Sequence, residues 1–370
     1  MLALADAVPL ADVARVLVTK LRHHGDVLLA SPVFTALKAA APHAEVDALV
    51  YRDTVPMLEG HPQVARIHAI DRAWKDAGLL QHWSAERSLA RDLARRRYDL
   101  LVHLTEHPRG IKLVRRLKPR WSVTTERVLD HRAAWLWKRT FTHFYRLPRG
   151  RDRPMVEQNL DALRRIGVQP PEALRALVLV PGAEAEARAG ALLEARGLAT
   201  GAFVQIHPGS RWLFKCWPTE RVAALCERLA GDGLDVVLTG APDPGERAML
   251  DAIIAALPAP AAARVHDFGG ELSLRELAAL TARARAFVGV DSAPMHIAAA
   301  VGTPTVALFG PSADVAWGPW RVEHRIVAST THACRPCHQD GCGGGKISDC
   351  LVTLPVERVH GALVELLARR

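Results

Sequence analysis

The stretch Ala286-Phe287-Val288-Gly289-Val290-Asp291-Ser292-Ala293-Pro294-Met295-His296 decides the fold. Its first five residues are apolar or small and read as a buried strand; Asp291-Ser292 stops the run. Pro294 then stands where the first turn of a helix tolerates a missing N–H, so residues 294–300 read as helix. Gly302 and Pro304 end it, and residues 305–309 form the next apolar run. A strand, a short helix and a second strand so closely spaced describe a parallel crossover unit.

Working outward, the same alternation recurs. Strands are expected at residues 203–206, 236–239 and 265–268, with helices at 219–230, 246–256 and 274–284. Toward the N-terminus, strands are expected at 13–20, 45–50, 66–70 and 98–105, and helices at 26–40 and 84–97. Apolar strands alternating with amphipathic helices give an α/β chain whose parallel sheets are covered on both faces. Between the two series the texture changes: Pro148, Pro154, Pro170, Pro171 and Pro181 surround one helix at 155–167, and a linker is read at 169–183. The expected division is 1–175, 176–354 and a final helix at 355–370. At roughly 100–200 residues per domain, 370 residues suit two doubly wound domains.

Composition excludes several classes. Apolar residues make up 49% and charged residues 24%, values of a globular chain rather than a disordered one. Asp6 and Asp12 interrupt the apolar start, so no secretory leader is expected. The uncharged run 292–313 contains Gly302, Pro304, Gly310 and Pro311, so no membrane span is expected there. The net charge of +9 is lopsided. Residues 1–180 carry 30 Lys and Arg against 19 Asp and Glu; residues 181–370 carry 18 against 20. A basic N-terminal half suits a phosphate-bearing partner: nucleic acid, an anionic lipid surface or a phosphorylated glycolipid. Trp135, Trp137, Phe141, Phe144 and Tyr145, interleaved with Arg132, Lys138, Arg139 and Arg146, could lie at a membrane interface or pack in a core.

Three loops carry chemistry. His23-His24-Gly25-Asp26-Val27 follows the first strand, on the edge where open α/β sheets place ligands. Asp26 could cap a helix or take a proton from an acceptor hydroxyl, with His24 and Gly25 beside it. Gln205-Ile206-His207-Pro208-Gly209-Ser210-Arg211, followed by Lys215, Trp217 and Pro218, offers amides, a hydroxyl and two cations, which is what a diphosphate needs. Asp291, Ser292, Ala293, Pro294, Met295 and His296 open a helix whose free amides and positive dipole end form an anion site. Thr239-Gly240 and Glu246 add a further turn whose carboxylate could bind ribose hydroxyls.

No Gly-x-Gly-x-x-Gly follows a strand, and Gly341 to Lys346 fails as a P-loop because Asp340 replaces the first glycine and Ile347 the hydroxyl residue. No Gly-x-Ser-x-Gly elbow exists. A nicotinamide oxidoreductase and a P-loop kinase are thereby disfavoured. Cys334, Cys337, Cys342 and Cys350 cluster near the C-terminus; four thiolates could complete a zinc site, or remain reduced in a loop.

Together, Gly25-Asp26-Val27, Lys215-x-Trp217-Pro218, Thr239-Gly240, Asp291 to His296 and Gly302-x-Pro304 resemble the bacterial lipopolysaccharide heptosyltransferases. Residues 24–32 and the cysteine cluster look most like the branch called heptosyltransferase III. The resemblance spans about 13–367. It implies a GT-B fold, two Rossmann-like domains facing a central cleft, and inverting transfer of heptose from ADP-heptose to the inner core on lipid A, with no cofactor required. It implies Asp26 as general base, Ser210, Arg211 and Lys215 on the diphosphate, Glu246 on the ribose, and residues 291–296 on the nucleotide and phosphates. It further implies a cytoplasmic enzyme, peripheral at the inner membrane, with no nucleic-acid partner. The sequence departs at 291–296, where first-heptose enzymes tend to read Asp-Thr-Gly-Leu-Ser-His. Two other readings are a GT-B-like nucleotide-sugar epimerase and a non-enzymatic basic binding protein with a zinc-binding cysteine segment.

Overall fold

A computed structural model describes residues 5–75, 78–128, 131–147 and 153–368. Pro148 and the first four residues, on which part of the leader reading rests, lie outside these. The chain divides into two compact units, residues 1–180 and 181–370. The division comes later than the edge at 175 read from the sequence.

The first unit holds β1 (Arg15–Thr19), β2 (Glu45–Tyr51), β3 (Arg66–Ile70), β4 (Leu100–His103), β5 (Trp121–Thr125) and β6 (His143–Tyr145). They form one sheet in the order β3-β2-β1-β4-β5-β6, every pairing parallel. The second unit holds β7 (Phe203–His207), β8 (Asp235–Leu238), β9 (Val265–Asp267), β10 (Ala286–Val290), β11 (Thr305–Phe309) and β12 (His324–Ala328). Their order is β12-β11-β10-β7-β8-β9, again all parallel. Counted from its own first strand, each sheet runs 3-2-1-4-5-6, the Rossmann order. Its reversal point lies between strands 1 and 4, where ligands collect at the carboxyl ends. The central strands β4, β7, β10 and β11 are buried along their whole length, as strands covered on both faces must be.

Local signals set the helix starts. Ser273 and Glu276 form a reciprocal capping box at the helix Leu274–Thr281, and the Asp243 carboxylate accepts from the Gly245 and Glu246 amides at Pro244–Ala255. The single helix expected over 26–40 is two, His24–Leu28 and Ser31–Ala40. Pro32 has no N–H to carry one helix into the next but fits the first turn of a new one.

The last helix, Val356–Leu367, is no separate appendage. Its Val356, Val359, Leu363 and Leu366 are buried in one cluster with Val204, Leu238, Val288 and Val306 of the second sheet. The aromatic stretch of the first unit is mostly core rather than membrane surface. Trp137, Phe141 and Tyr145 are buried, and the Trp137 indole N–H donates to the Thr125 carbonyl at 2.9 Å. Trp135 alone of these five is exposed.

Candidate nucleotide-sugar site

In the second unit the candidate residues gather at the carboxyl ends of β7, β8 and β10, which are neighbours in the sheet. One cluster joins β7 and β8. Gln205 Nε2 donates to Thr239 Oγ1 at 3.1 Å, and Thr239 Oγ1 lies 3.0 Å from His207 Nδ1. His207 Nε2 in turn lies 3.7 Å from Glu246 Oε2. Burial pushes the His207 ring down to about 4, so it is neutral at physiological pH. With the ring proton on Nε2 facing the carboxylate, Nδ1 is left to accept from Thr239, whose hydroxyl also lies 3.4 Å from the Ile206 carbonyl. Glu246 Oε2 also accepts from the Ala241 amide at 2.7 Å, while burial raises its carboxyl pKa. Gly209 completes the cradle: a Cβ there would stand 2.6 Å from Glu246 Oε2. Gly240 is likewise tight, since a Cβ would come 2.9 Å from Leu250.

A second cluster joins the loop after β7 to β10. Lys215 Nζ donates to Asp291 Oδ2 at 2.6 Å, and Asp291 is almost fully buried. The loop is pinned on either side of Lys215: Ser348 Oγ donates to the Phe214 carbonyl at 2.6 Å, and the Trp217 indole to the Leu354 carbonyl at 3.1 Å. Ser292 is the N-cap of the helix Ala293–Ala300, and its side chain makes no cap bond. Its hydroxyl is buried without a partner, and the first-turn amides of Ala293, Pro294's successor Met295 and His296 face the same helix end. Pro294, Met295 and His296 are themselves buried. Ser210 is buried and its hydroxyl accepts from the Trp212 amide at 3.4 Å. Arg211 is exposed, with its guanidinium 5.5 Å from the Trp212 ring centroid.

In the first unit, Asp26 is the third residue of the helix His24–Leu28, not its N-cap, which is His23. Its carboxylate is half-buried and receives the His23 amide at a long 3.4 Å. His24 Nε2 lies 2.9 Å from the Asp53 carbonyl, and Gly25 is half-buried beside it. Sequence reasoning missed Lys20, which ends β1's extended run and is buried. Its ammonium donates to the Leu104 carbonyl at 3.1 Å and Asn159 Oδ1 at 3.0 Å. Burial lowers its pKa while the Asp26 charge opposes that shift. His207 and Gln205 were also missed as positioning groups; their place immediately before the Gly-Ser turn was the available signal.

The four clustered cysteines are free thiols. Burial is the main cause that raises the Cys350 pKa, and Cys342, Cys337 and Cys334 are near enough to add to it. Among the described residues, no three His, Cys, Asp or Glu side chains stand together as a metal-holding group.

Two parallel six-stranded sheets in Rossmann order, one in each unit, are the architecture of the GT-B class of glycosyltransferases. Residues 86–347 match the description glycosyltransferase family 9 (heptosyltransferase). The chain is 34% identical over 300 residues to lipopolysaccharide heptosyltransferase 3 of Escherichia coli, covering 81% of this chain and 84% of that one. A glycosyl transferase family 9 structure from Veillonella parvula superposes with a TM-score of 0.82 at 22% identity, covering 99% and 100% of the two chains. An E. coli heptosyltransferase solved with ADP-2-deoxy-2-fluoro heptose superposes at 0.70 and 19% identity, covering 95% and 99%. The chain belongs to glycosyltransferase family 9, the heptosyltransferases, with the heptosyltransferase 3 likeness expected from residues 24–32.

Proposed function

We propose that the protein moves a heptose from ADP-heptose onto a hydroxyl of the lipopolysaccharide inner core, with inversion, and that Asp26 is the general base. The observation that carries this reading is the contrast between two carboxylates. Asp291 is held at 2.6 Å by Lys215, whereas the half-buried Asp26 receives one long backbone contact and keeps lone pairs for a substrate proton. In the transfer, the acceptor oxygen bonds to the anomeric carbon as that carbon's bond to the diphosphate breaks. The acceptor proton passes to Asp26, and ADP leaves with the electron pair.

Charge developing on the diphosphate would be met by Lys215, Arg211, the Ser210 hydroxyl and the amides at the start of Ala293–Ala300. Glu246, held by the Ala241 amide beside His207, would accept hydrogen bonds from the ribose. The E. coli relatives are named for lipopolysaccharide and, in one solved complex, for an ADP-heptose analogue, which supports this donor and acceptor. A lipid-linked acceptor suits a peripheral enzyme at the cytoplasmic face of the inner membrane. No helix among the described residues is long and apolar enough to cross a membrane. Incubation with labelled ADP-heptose and truncated lipopolysaccharide tests the reading. Label in the lipopolysaccharide supports it; conversion of the free nucleotide sugar, or no reaction, overturns it.

A further inference from the structure

The first unit carries a groove remote in sequence from Asp26. It lies between the helices Leu79–Arg96 and Arg109–Leu117, and encloses about 400 Å³. Leu49 and Ile70 of the sheet, with Leu89, Leu93, Leu113 and Leu117, make its wall apolar. Ala90 stands among these leucines, and a longer side chain there would close the space. The rim is cationic: Arg87, Lys112 and Arg116 line the groove and are exposed, while Arg109 is neutralised by Glu86. Trp83 stands at the mouth, 59% exposed, with the Arg87 guanidinium 4.7 Å from its ring centroid.

The surroundings share this character. The helix Ala134–Thr140 packs against Arg109–Leu117, and its Trp135 is 64% exposed under the Arg139 guanidinium at 4.2 Å. These three helices carry ten Lys and Arg against two acidic residues. A groove of this volume with apolar walls, rimmed by cations and flanked by exposed tryptophans, matches one occupant: an acyl chain whose head carries a phosphate.

We propose that the groove between Leu79–Arg96 and Arg109–Leu117 binds an anionic phospholipid of the bilayer, its chain against Leu89, Ala90 and Leu113 and its phosphate on Arg87, Lys112 and Arg116. This rests on the membrane-surface part of the functional reading and not on its chemistry.

The test is flotation of the full chain with phosphatidylcholine vesicles, with and without phosphatidylglycerol. Wild type should bind the phosphatidylglycerol vesicles and release them at high salt. Lys112→Glu with Arg116→Glu should weaken binding at least about 25-fold, counting roughly fivefold for each cation lost near an anionic surface. Ala90→Phe, which fills the groove and leaves the charge, should weaken it too. Arg188→Glu with Arg358→Glu, an equal charge change on the second unit, should not.

Wild type that ignores phosphatidylglycerol, an equal loss in the second-unit control, or full binding by Ala90→Phe would each overturn the groove. An unchanged circular dichroism spectrum and an unchanged cooperative melt show that the variants fold. Transfer to a soluble core oligosaccharide lacking lipid should survive in all of them. Vesicle binding by a wild type that transfers no sugar would sink the transferase reading and leave the groove standing.

Discussion

The two units share one topology and spend their charge differently. Each winds a parallel sheet in the order 3-2-1-4-5-6, yet the first carries an excess of eleven positive charges and the second a deficit of two. In the second unit the important charges are turned inward and paired: Lys215 with Asp291, and Glu246 with the Ala241 amide. The first unit also buries pairs, Asp47 with Arg96 and Tyr98 among them, but cations such as Arg87, Lys112 and Arg116 stand exposed on its helices. A fold shared by both halves therefore says little about their tasks. On the two proposals above, the distribution of charge over that fold separates a site for a compact diphosphate from a surface for an extended anion.

The sharpest way to break this comparison is Asp26→Asn. The variant keeps the size of the side chain and removes proton acceptance, so turnover should fall by about 10²–10⁴-fold. ADP affinity, assigned to the second unit, and melting temperature should stay near wild type. Transfer at an undiminished rate would leave Asp26 a structural residue of its short helix.

Acid separates the units next. Burial lowers the pKa of His61 and His103 in the first unit, and of His207 in the second, to about 4. A histidine depressed on folding contributes stability above its unfolded pKa, near 6.5, and that contribution is lost as pH falls toward 4. Each such group accounts for on the order of a few kcal/mol across this window. With two of them, the first unit should lose amide protection more steeply than the second when hydrogen exchange is followed from pH 7 to pH 4. Parallel loss in both units would show that these histidines do not govern their acid response.

Lys215→Ala should weaken ADP binding by about 1.5–3 kcal/mol, the range for a hydrogen bond to a charged group. It also leaves the buried Asp291 carboxylate unpaired, so stability should drop. Adding Asp291→Asn should recover stability without recovering ADP affinity in calorimetry. An unchanged affinity in the single variant would place Lys215 outside the donor site. The smallest effect expected is none: a chelator should not move the melting temperature if the four clustered thiols stay reduced in their loop, the reading favoured by the lack of a three-membered metal-holding group among the described residues. A marked fall, with about one equivalent of metal released, would reverse that conclusion.

The central strands β10 and β11 were legible because they are nearly unbroken runs of apolar or small residues of the kind two-faced burial requires. Three others were not: the edge strand β6 has three residues, its neighbour β5 is rich in Ser and Thr, and the edge strand β12 opens with His324-Arg325 because an edge admits charge. The helix Arg109–Leu117 escaped notice because four cations outnumber its buried Ile111 and Val114. In the site, the loops after β7 and β10 announced themselves by glycine, proline and hydroxyl residues. Their coupling did not: Lys215 and Asp291 are 76 residues apart, and a lone sequence carries no sign that they meet. Lys20 was hidden for a related reason, since burial of a lysine depends on partners as distant as Asn159.

The Lys215–Asp291 contact also bears on which anions the proposed donor site would refuse. A bare lysine at a helix end would collect any passing phosphate. Here an arriving anion must displace a carboxylate already seated at hydrogen-bond distance, and Asp291, almost fully buried, is left without that partner. Inorganic phosphate brings nothing to offset this. In the proposed roles a nucleotide would, through its ribose on Glu246 and the second phosphate on the helix amides. On that reading the ion pair would act as a threshold, rejecting small anions and admitting ligands that hold the site at several points together.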